Sequence, residues 1–210
     1  IILSGSPRHD MFFQNKSTTY PSKKPRILIT LGMLDEQNAI FTTELFERFE
    51  HVLEKTFLTL KETNDSSFVV KLHPSLQKNN LQIKKFIEEF DQNIIIKQFS
   101  SIVDDIRECD IIINIFTEIY GSTVMLEGLI MEKPILNISL DTRSYKFEFE
   151  NDNAVLGISY NDDIDLNIKK IINDKELRST LVKNGTKHVL RYLSNPGNAS
   201  KELARILSSF

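Results

Sequence analysis

Residue types and patterns that the sequence lacks exclude several classes of protein. The chain contains one cysteine, Cys109, so no disulfide can form within it, and this composition fits a reducing cytoplasm. Its longest apolar stretches, such as residues 111–113, have the length of a strand and fall far short of the roughly 18 residues that a membrane-spanning helix needs. The formal net charge of -3 argues against the basic surface that nucleic-acid binding requires.

Motifs of zinc proteins, serine hydrolases and common nucleotide-binding loops are also missing. No cluster of His and Cys has the spacing of a zinc site, and no Gly-x-Ser-x-Gly turn indicates a serine hydrolase. Gly32 follows a predicted strand without a second glycine, so that turn is neither a dinucleotide-binding fingerprint nor a P-loop. We therefore expect no bound metal and no cofactor.

What is present indicates one globular domain with a small appendage. Of the 210 residues, 40% are hydrophobic and 26% are charged, which is a typical globular balance. Residues 14–25 are polar and contain two prolines, as a linker does. We assign residues 1–25 to the end of a preceding domain and a linker, and residues 26–210 to one folded domain. Because residues 1–3 are apolar and include no Met, we expect a chain cut from a longer protein at a strand.

Short apolar runs alternate with longer amphipathic segments along most of the chain. Strands are predicted over residues 26–31, 68–72, 93–97, 110–115, 134–138 and 154–158. Helices are predicted over residues 36–61, 81–90, 102–108, 122–131, 163–173, 175–193 and 199–207. This alternation predicts an α/β fold with a doubly wound, Rossmann-like parallel sheet. Ligands of such sheets bind at the carboxyl ends of the strands, so residues that follow strands are the candidates for a site.

The segment over residues 110–134 carries the most specific pattern. After a predicted strand and a loop, Gly121, Ser122 and Thr123 begin a helix. A Ser or Thr there serves as a helix cap, or the free N–H groups and the helix dipole bind a phosphate. Glu127 follows on the first or second turn of that helix, between apolar neighbours. It is either an exposed carboxylate favoured by the dipole or an acceptor for the ribose hydroxyls of a nucleotide.

Other candidate residues follow the remaining strands. Lys71 and His73 share one face of the second predicted strand because side chains alternate, so either could reach a phosphate. An imidazole can donate a hydrogen bond to phosphate, although a His can also end a strand without any function. Gly32 would allow the backbone to approach a phosphate, and Phe99 either stacks on a base or packs on the core.

These residues resemble the donor site of GT-B glycosyltransferases. Gly121-Ser122-Thr123, then Glu127, and Pro134 seven residues later are similar to the family pattern. Versions of it occur in the peptidoglycan N-acetylglucosaminyltransferase and in the non-hydrolysing UDP-N-acetylglucosamine 2-epimerase. In that family the Glu holds the ribose and the turn binds the diphosphate, which implies the same roles here.

Two further motifs are similar to relatives of that family. His73-Pro74 resembles the His-Pro at a strand end in the 2-epimerases and in the CDP-glycerol glycerophosphotransferases, where the His lies beside the phosphates, and this implies a catalytic role for His73. Residues 5–10 (GSPRHD) resemble the Gly-x-Pro-(Arg/Lys)-x-Asp motif that closes the first domain in several such proteins. This sequence departs from the family pattern between Asn114 and Gly121, where residues 116–120 lengthen the loop. The glycerophosphotransferases usually have an Asp and paired serines there, and Asn114 or Glu118 would stand in for that Asp.

The resemblance, which extends to capsule polysaccharide transferases, implies a function and its partners. Residues 26–210 would be the nucleotide-sugar-binding half of a GT-B fold. The enzyme would move a sugar or alditol phosphate from a UDP- or CDP-linked donor to a surface polysaccharide or glycolipid. The acceptor domain would be missing, so this chain would bind the donor without turnover. The longer protein would be cytoplasmic, with peripheral association at the inner face of the membrane as an option.

Two alternatives fit the same residues. One is an isomerase similar to the UDP-N-acetylglucosamine 2-epimerase, which would take further carboxylates from the missing half. The other is a non-catalytic interaction domain on a Rossmann-like scaffold, because a fold does not fix a function. The interaction domain predicts no nucleotide binding, whereas product analysis of the longer protein separates a transferase from an epimerase.

Overall fold

The computed structural model describes residues 3–16, 24–32, 43–63, 66–74, 78–116, 122–141 and 146–209, without the side chains of residues 78 and 79. Five predictions fall wholly or partly outside these ranges. They are the strand at residues 1–3, the linker over 14–25, the start of the helix over 36–61, the lengthened loop at 116–120 with Glu118, and Gly121.

Six parallel strands form one sheet, which confirms the predicted fold class. The strands are β1 (Arg26–Leu31), β2 (Ser67–Lys71), β3 (Ile95–Lys97), β4 (Ile111–Phe116), β5 (Ile135–Ser139) and β6 (Leu156–Ser159). Their order across the sheet is β3-β2-β1-β4-β5-β6, and every neighbouring pair is parallel. This is the strand order of a Rossmann fold, in which the chain reverses its direction of travel between β1 and β4.

Helices cover both faces of the sheet. They are α1 (Asp10–Gln14), α2 (Thr43–Glu62), α3 (Lys78–Phe90), α4 (Ile102–Glu108), α5 (Thr123–Ile130), α6 (Glu148–Asn151), α7 (Ile164–Asn173), α8 (Lys175–Tyr192) and α9 (Ala199–Leu207). Because side chains alternate along a strand, Ile27 and Ile29 of β1 enter the core formed with α2, α3 and α7, while Leu28 enters the core formed with α1, α4 and α5. Within the described ranges, no helix combines the length and the apolar character needed to cross a membrane.

Local signals in the sequence explain where several helices begin. The side chain of Asp163 accepts a hydrogen bond from the backbone N–H of Leu166 at the start of α7, and Asp174 does the same for Leu177 at the start of α8. Such caps satisfy N–H groups that have no partner within the helix. The short α6 and the 3-10 turn Pro7–His9 with α1 were not predicted, because each is too short to show a helical period.

A row of polar side chains crosses the sheet near the carboxyl ends of its strands. Paired register positions place the row on five consecutive strands, at Lys97, Lys71, Thr30, Asn114 and Asn137, and the next paired position, on β6, is Gly157. Thr30 Oγ1 donates to Asn114 Oδ1 at 2.9 Å, and Asn114 Nδ2 donates to Asn137 Oδ1 at 2.8 Å. Asn137 Nδ2 then donates to Glu150 Oε1 of α6 at 3.1 Å. The strands are therefore not apolar throughout, contrary to the expectation for strands covered on both faces.

The N-terminal segment packs against the body of the domain. The Asp10 carboxylate accepts hydrogen bonds from the backbone N–H groups of Ala199 at 3.0 Å and Ser200 at 2.7 Å, and so caps the start of α9. Phe12 is 2% exposed and belongs to the core shared with α5. Gly5 has φ of +89°, and a Cβ there would collide with the carbonyl oxygen of Ser194. Residues 3–16 are thus packed against the domain, while the boundary at residue 25 stays a prediction.

Candidate functional site

One cavity lies at the carboxyl ends of β1, β2 and β4, next to the point where the strand order reverses. Its volume is about 380 Å³. Sheets of this type bind ligands at this place. Among the residues that line the cavity are all the predicted site residues that the structure describes: Gly32, Lys71, His73, Phe99, Ser122, Thr123 and Glu127. The remaining predicted residue, Gly121, lies outside the described ranges.

Glu127 is a buried carboxylate in the wall of this cavity. It is 1% exposed, so the alternative of an exposed Glu favoured by the dipole is wrong. Arg8 Nη2 donates a hydrogen bond to Glu127 Oε1 at 2.8 Å. Burial raises the pKa of Glu127, and the nearby Arg8 guanidinium opposes this by stabilising the charged form. A carboxylate kept in this position is a strong acceptor for hydroxyl groups of a ligand.

The start of α5 opens into the same cavity. Ser122 occupies the N-cap position with extended backbone angles, but its side chain makes no capping hydrogen bond. The helix is held at this end by the backbone bond from Met125 N–H to Ser122 O, 3.0 Å long. Ser122 thus does not use its hydroxyl as a cap, and Ser122, Thr123 and Val124 all line the cavity. First-turn N–H groups and the helix dipole make such an end favourable for anions.

Lys71 is engaged in a buried network beneath the cavity. Its ammonium donates to Ser100 O and to Ser100 Oγ, both at 2.6 Å, and lies 2.9 Å from Asp105 Oδ2. Lys97 Nζ binds the other carboxylate oxygen of Asp105 at 2.8 Å. Burial raises the pKa of Asp105, but hydrogen bonds from Lys97, Ser100 and Lys71 outweigh this and lower it overall. Since an ammonium has three N–H donors, Lys71 uses all of them to hold residue 100 and α4.

His73 lies half-buried at the end of β2, on the cavity wall. Burial lowers the pKa of its imidazole, so the ring is neutral near pH 7. Its backbone carbonyl accepts a hydrogen bond from Asn80 Nδ2 at 3.0 Å, which fixes the strand end against α3. A neutral imidazole still donates one N–H, as the predicted contact with a phosphate requires.

Gly32 and Phe99 line opposite parts of the cavity. A Cβ at Gly32 would collide with the ring of Phe116, so the glycine makes room for this buried ring. Phe99 is 69% exposed, so the alternative in which it packs on the core is wrong. An exposed phenyl at the rim of a cavity is well placed to stack on a planar ligand.

Several residues outside the predicted site set also line the cavity, among them Thr30, Asn114 and Arg8. Thr30 and Asn114 lie in its floor, 3% and 1% exposed, as members of the polar row. Their signal in the sequence is a polar residue near the end of an otherwise apolar strand. Arg8 reaches the cavity from the segment before the sheet, and no local pattern links it to Glu127, 119 residues away. Within the described part of the chain, no group of three or more His, Cys, Asp or Glu side chains is arranged to hold a metal ion.

Solved structures of other proteins are similar to the structure of this chain. Neither models of protein families nor curated protein sequences give a match. Staphylococcus aureus MnaA, solved with UDP, matches with a TM-score of 0.64 and 15% identity over 97% of this chain and 52% of its own. The C-terminal domain of LpcC, a glycosyl transferase group 1 family protein from Francisella tularensis, matches with a TM-score of 0.58 and 18% identity over 91% of this chain and 98% of its own.

A UDP-N-acetylglucosamine 2-epimerase matches to a similar extent, with a TM-score of 0.58 and 14% identity over 97% of this chain and 50% of its own. This chain therefore spans about half the length of MnaA and of the epimerase. At such low identities the likeness shows a shared fold. The chain has the Rossmann-like α/β fold that forms one half of GT-B proteins.

Proposed function

We propose that this chain binds the nucleoside diphosphate part of a nucleotide-activated donor, as the donor domain of a transferase. The observation that carries the proposal is the buried Glu127 carboxylate on the cavity wall, 1% exposed, four residues after the helix start at Thr123 that opens into the same cavity. A ribose acceptor and an anion site thus lie one helical turn apart. The ribose and the phosphates of a nucleotide are also adjacent, so they fit a hydroxyl acceptor and an anion site placed side by side.

Each part of a donor has a candidate partner. Glu127 accepts hydrogen bonds from the ribose hydroxyls, and Phe99 stacks on the base. The start of α5, with Ser122 and Thr123, binds the diphosphate. His73 donates to the diphosphate and stabilises the charge that grows on it as the bond to the transferred group breaks, which needs no metal ion. Lys71 acts here through Ser100, by holding the loop that carries Phe99.

The transferred group would be a sugar or an alditol phosphate, and the acceptor a surface polysaccharide or glycolipid. The acceptor site and the general base would lie in a second domain, absent from residues 1–210. Both MnaA and the epimerase are about twice as long as their match to this chain, which supports a two-domain protein. The isolated chain is therefore expected to bind a nucleotide without catalysing transfer.

A thermal-shift panel with UDP, CDP, CMP, GDP and ADP tests the proposal. A ligand at a hundred times its dissociation constant adds about 2.7 kcal/mol to the free energy of unfolding. For a chain of this size the melting temperature then rises by about 5–10 °C. One or two of the nucleotides should give this shift, which Glu127→Ala should abolish. The matched control is Glu54→Ala, on the exposed face of α2, which should keep it.

The alternatives give different results in the same system. A non-catalytic interaction domain gives no shift with any nucleotide, and this result would reject the proposal for the isolated chain. An epimerase-like isomerase, supported by the structural likeness to the 2-epimerase, gives a shift with UDP. In that case the longer protein converts a UDP-linked sugar to its epimer and transfers nothing to an acceptor.

A further inference from the structure

We propose that Arg8, from the segment before the sheet, binds the phosphate groups of the nucleotide in this cavity. The inference rests on the proposed function and extends it to a residue that none of the donor-site motifs contains. Arg8 lies in the 3-10 turn Pro7–His9, and its side chain lines the cavity. It reaches across to the Glu127 carboxylate of α5 at 2.8 Å.

Among the described residues that line the cavity, Arg8 is the cation with donors to spare. Lys71 uses its three N–H groups on Ser100 and Asp105. Burial lowers the pKa of His73, so its ring carries no charge at pH 7. Arg8 has a side chain that is 62% exposed, and among the described residues its guanidinium makes one hydrogen bond, to Glu127. A guanidinium has five N–H donors, so four of them have no protein partner within the described ranges and are left for a ligand.

The backbone that carries Arg8 is firmly supported. Pro7 restricts the backbone just before it. Two residues after it, Asp10 binds the N–H groups of Ala199 and Ser200, and Phe12 is buried in the core. Glu127 in turn directs the guanidinium. An exposed Arg with a fixed backbone and a fixed orientation loses little conformational entropy on binding an anion, and its planar fork matches two phosphate oxygens.

Arg8 and Glu127 then bind two adjacent groups of the ligand, the phosphates and the ribose. The Glu127 oxygen Oε1 holds Arg8, while the second oxygen accepts from a ribose hydroxyl. The guanidinium keeps its bond to Glu127 and donates its other N–H groups to the phosphates. The cavity thus gains the positive charge that a diphosphate needs, without any contribution from Lys71.

The test measures affinities of uridine, UMP and UDP, with cytidine, CMP and CDP as a second set, by calorimetry and NMR titration. In Arg8→Ala, UDP or CDP should bind about ten- to hundred-fold more weakly, the size of a charge-assisted hydrogen bond, and the parent nucleoside should lose less than about threefold. Arg8→Lys should recover part of the loss. Arg205→Ala is the matched control, because Arg205 is 69% exposed and also pairs with a Glu, Glu202, and neither residue lines the cavity.

Two results would overturn the role of Arg8 while leaving the proposed function intact. One is an unchanged affinity for every ligand in Arg8→Ala. The other is an equal loss for nucleoside and diphosphate, which would mean that Arg8 acts only by positioning Glu127. A wild-type chain that binds none of these six compounds, and neither GDP nor ADP, would reject the proposed function together with this inference. Circular dichroism melting of each variant confirms that it is folded.

Discussion

At the scale of single residues, Glu127 holds a charge in a place where burial opposes it. The carboxylate is 1% exposed, and its support from Arg8 comes from a side chain that is 62% exposed. Pairs with an exposed partner contribute little to stability. In the proposed donor site, this carboxylate would serve a ligand at some expense to the stability of the fold, as in many binding sites.

The first prediction is that Glu127→Gln stabilises the ligand-free chain and removes nucleotide binding. The pKa of the Glu127 carboxyl group is raised in the folded state. The side chain therefore contributes stability at pH values below its unfolded-state pKa, and this contribution is lost as the pH rises through the folded-state pKa. The increase in the free energy of unfolding caused by Glu127→Gln should therefore be largest near pH 7.5 and vanish near pH 4. We expect about 1 kcal/mol, or about 2–4 °C in the melting temperature.

Differential scanning calorimetry at both pH values measures this change, with Glu54→Gln on the exposed face of α2 as control. A variant that is less stable than the wild type at pH 7.5 would mean that the charge of Glu127 supports the fold. The buried carboxylate of Glu127 would then be explained by its contribution to stability, without a ligand.

The role of a single residue could be predicted from the sequence when its partner lies nearby in the chain, and not when the partner is distant. Glu127 stood out because a carboxylate on a mostly apolar helix is rare, and a local pattern linked it to Ser122 and Thr123. The contact of Arg8 with Glu127 joins residues 119 apart, so only the folded chain brings them together. Lys71 and His73 both line the cavity, but no local pattern indicates that Lys71 pairs with Asp105, 34 positions further along the chain.

At the scale of elements, the polar row ties four of them together. Side chains of β1, β4, β5 and α6 form one chain of hydrogen bonds, from Thr30 in the cavity floor to Glu150. Glu150 takes the space above Gly157, where a Cβ would collide with its carboxylate. Every donor in this chain has a defined acceptor, so it fixes the amide of Asn114 at the base of the cavity.

The second prediction concerns Asn137→Asp, which replaces the donor to Glu150 by a second carboxylate. Two carboxylates at hydrogen-bond distance cannot both stay charged, so the pKa of the pair rises in the folded state. Stability should fall by about 3 kcal/mol at pH 8 and by less at pH 5, because protonation restores a donor. Urea denaturation at both pH values measures this.

The control for this variant is Asn173→Asp, at the exposed end of α7, which should change stability by less than about 0.5 kcal/mol. An Asn137→Asp variant with the same loss at pH 5 and pH 8 would show that the two side chains do not interact. The row would then be a set of separate polar groups.

The long elements were predicted well, because their hydrophobic period continues over several turns. The helices over 102–108 and 199–207 and the strand over 26–31 agree with α4, α9 and β1 residue for residue. The elements that were missed, α1 and α6, have five and four residues. They form because Phe12 enters the core and because Glu150 meets Asn137, and both are tertiary contacts.

At the scale of the whole molecule, the first described residues and the last helix support each other. Asp10 caps α9, and Asn195 Nδ2 donates to the carbonyl oxygens of Leu3 at 3.2 Å and Ser4 at 3.3 Å. The same segment carries Arg8 to the cavity. Support for the site therefore comes from both ends of the described chain.

The third prediction is that Asp10→Ala lowers the free energy of unfolding by about 1–2 kcal/mol, as the loss of a helix cap does. Burial raises the pKa of Asp10, but hydrogen bonds from Ser200 and Ala199 outweigh this and lower it overall. The carboxylate thus contributes stability that is present above its unfolded-state pKa and lost as the pH falls through the folded-state value.

Urea denaturation at pH 7 and pH 3 measures this effect, and the difference between variant and wild type should shrink at pH 3. Hydrogen exchange should also become faster in α9 than in α7. An unchanged stability at pH 7 would mean that contacts other than the Asp10 cap, such as the burial of Phe12, hold the segment. A loss of equal size at pH 3 would point to a cause other than the charge.

The order of the strands decides where a ligand can bind, and the sequence predicted the class of fold but not this order. Pairing of distant strands depends on contacts between residues far apart in the chain, as between β1 and β4. The candidate site residues could nevertheless be located, because ligands bind at the carboxyl ends of parallel strands and any parallel arrangement brings those ends to one edge of the sheet. Gly32, Lys71 and Phe99 met in one cavity for this reason.

The most direct test of the central claim is a methyl NMR titration of the isolated chain with UDP and CDP. If a nucleotide binds in the proposed cavity, the methyl signals of Leu72, Ile102 and Val124, which line it, should shift with one of the two ligands. Met131 and Val182, which line a cavity beside α8, should stay unchanged. Shifts confined to Met131 and Val182, or none at saturating nucleotide, would contradict the claim that Glu127 marks a donor site.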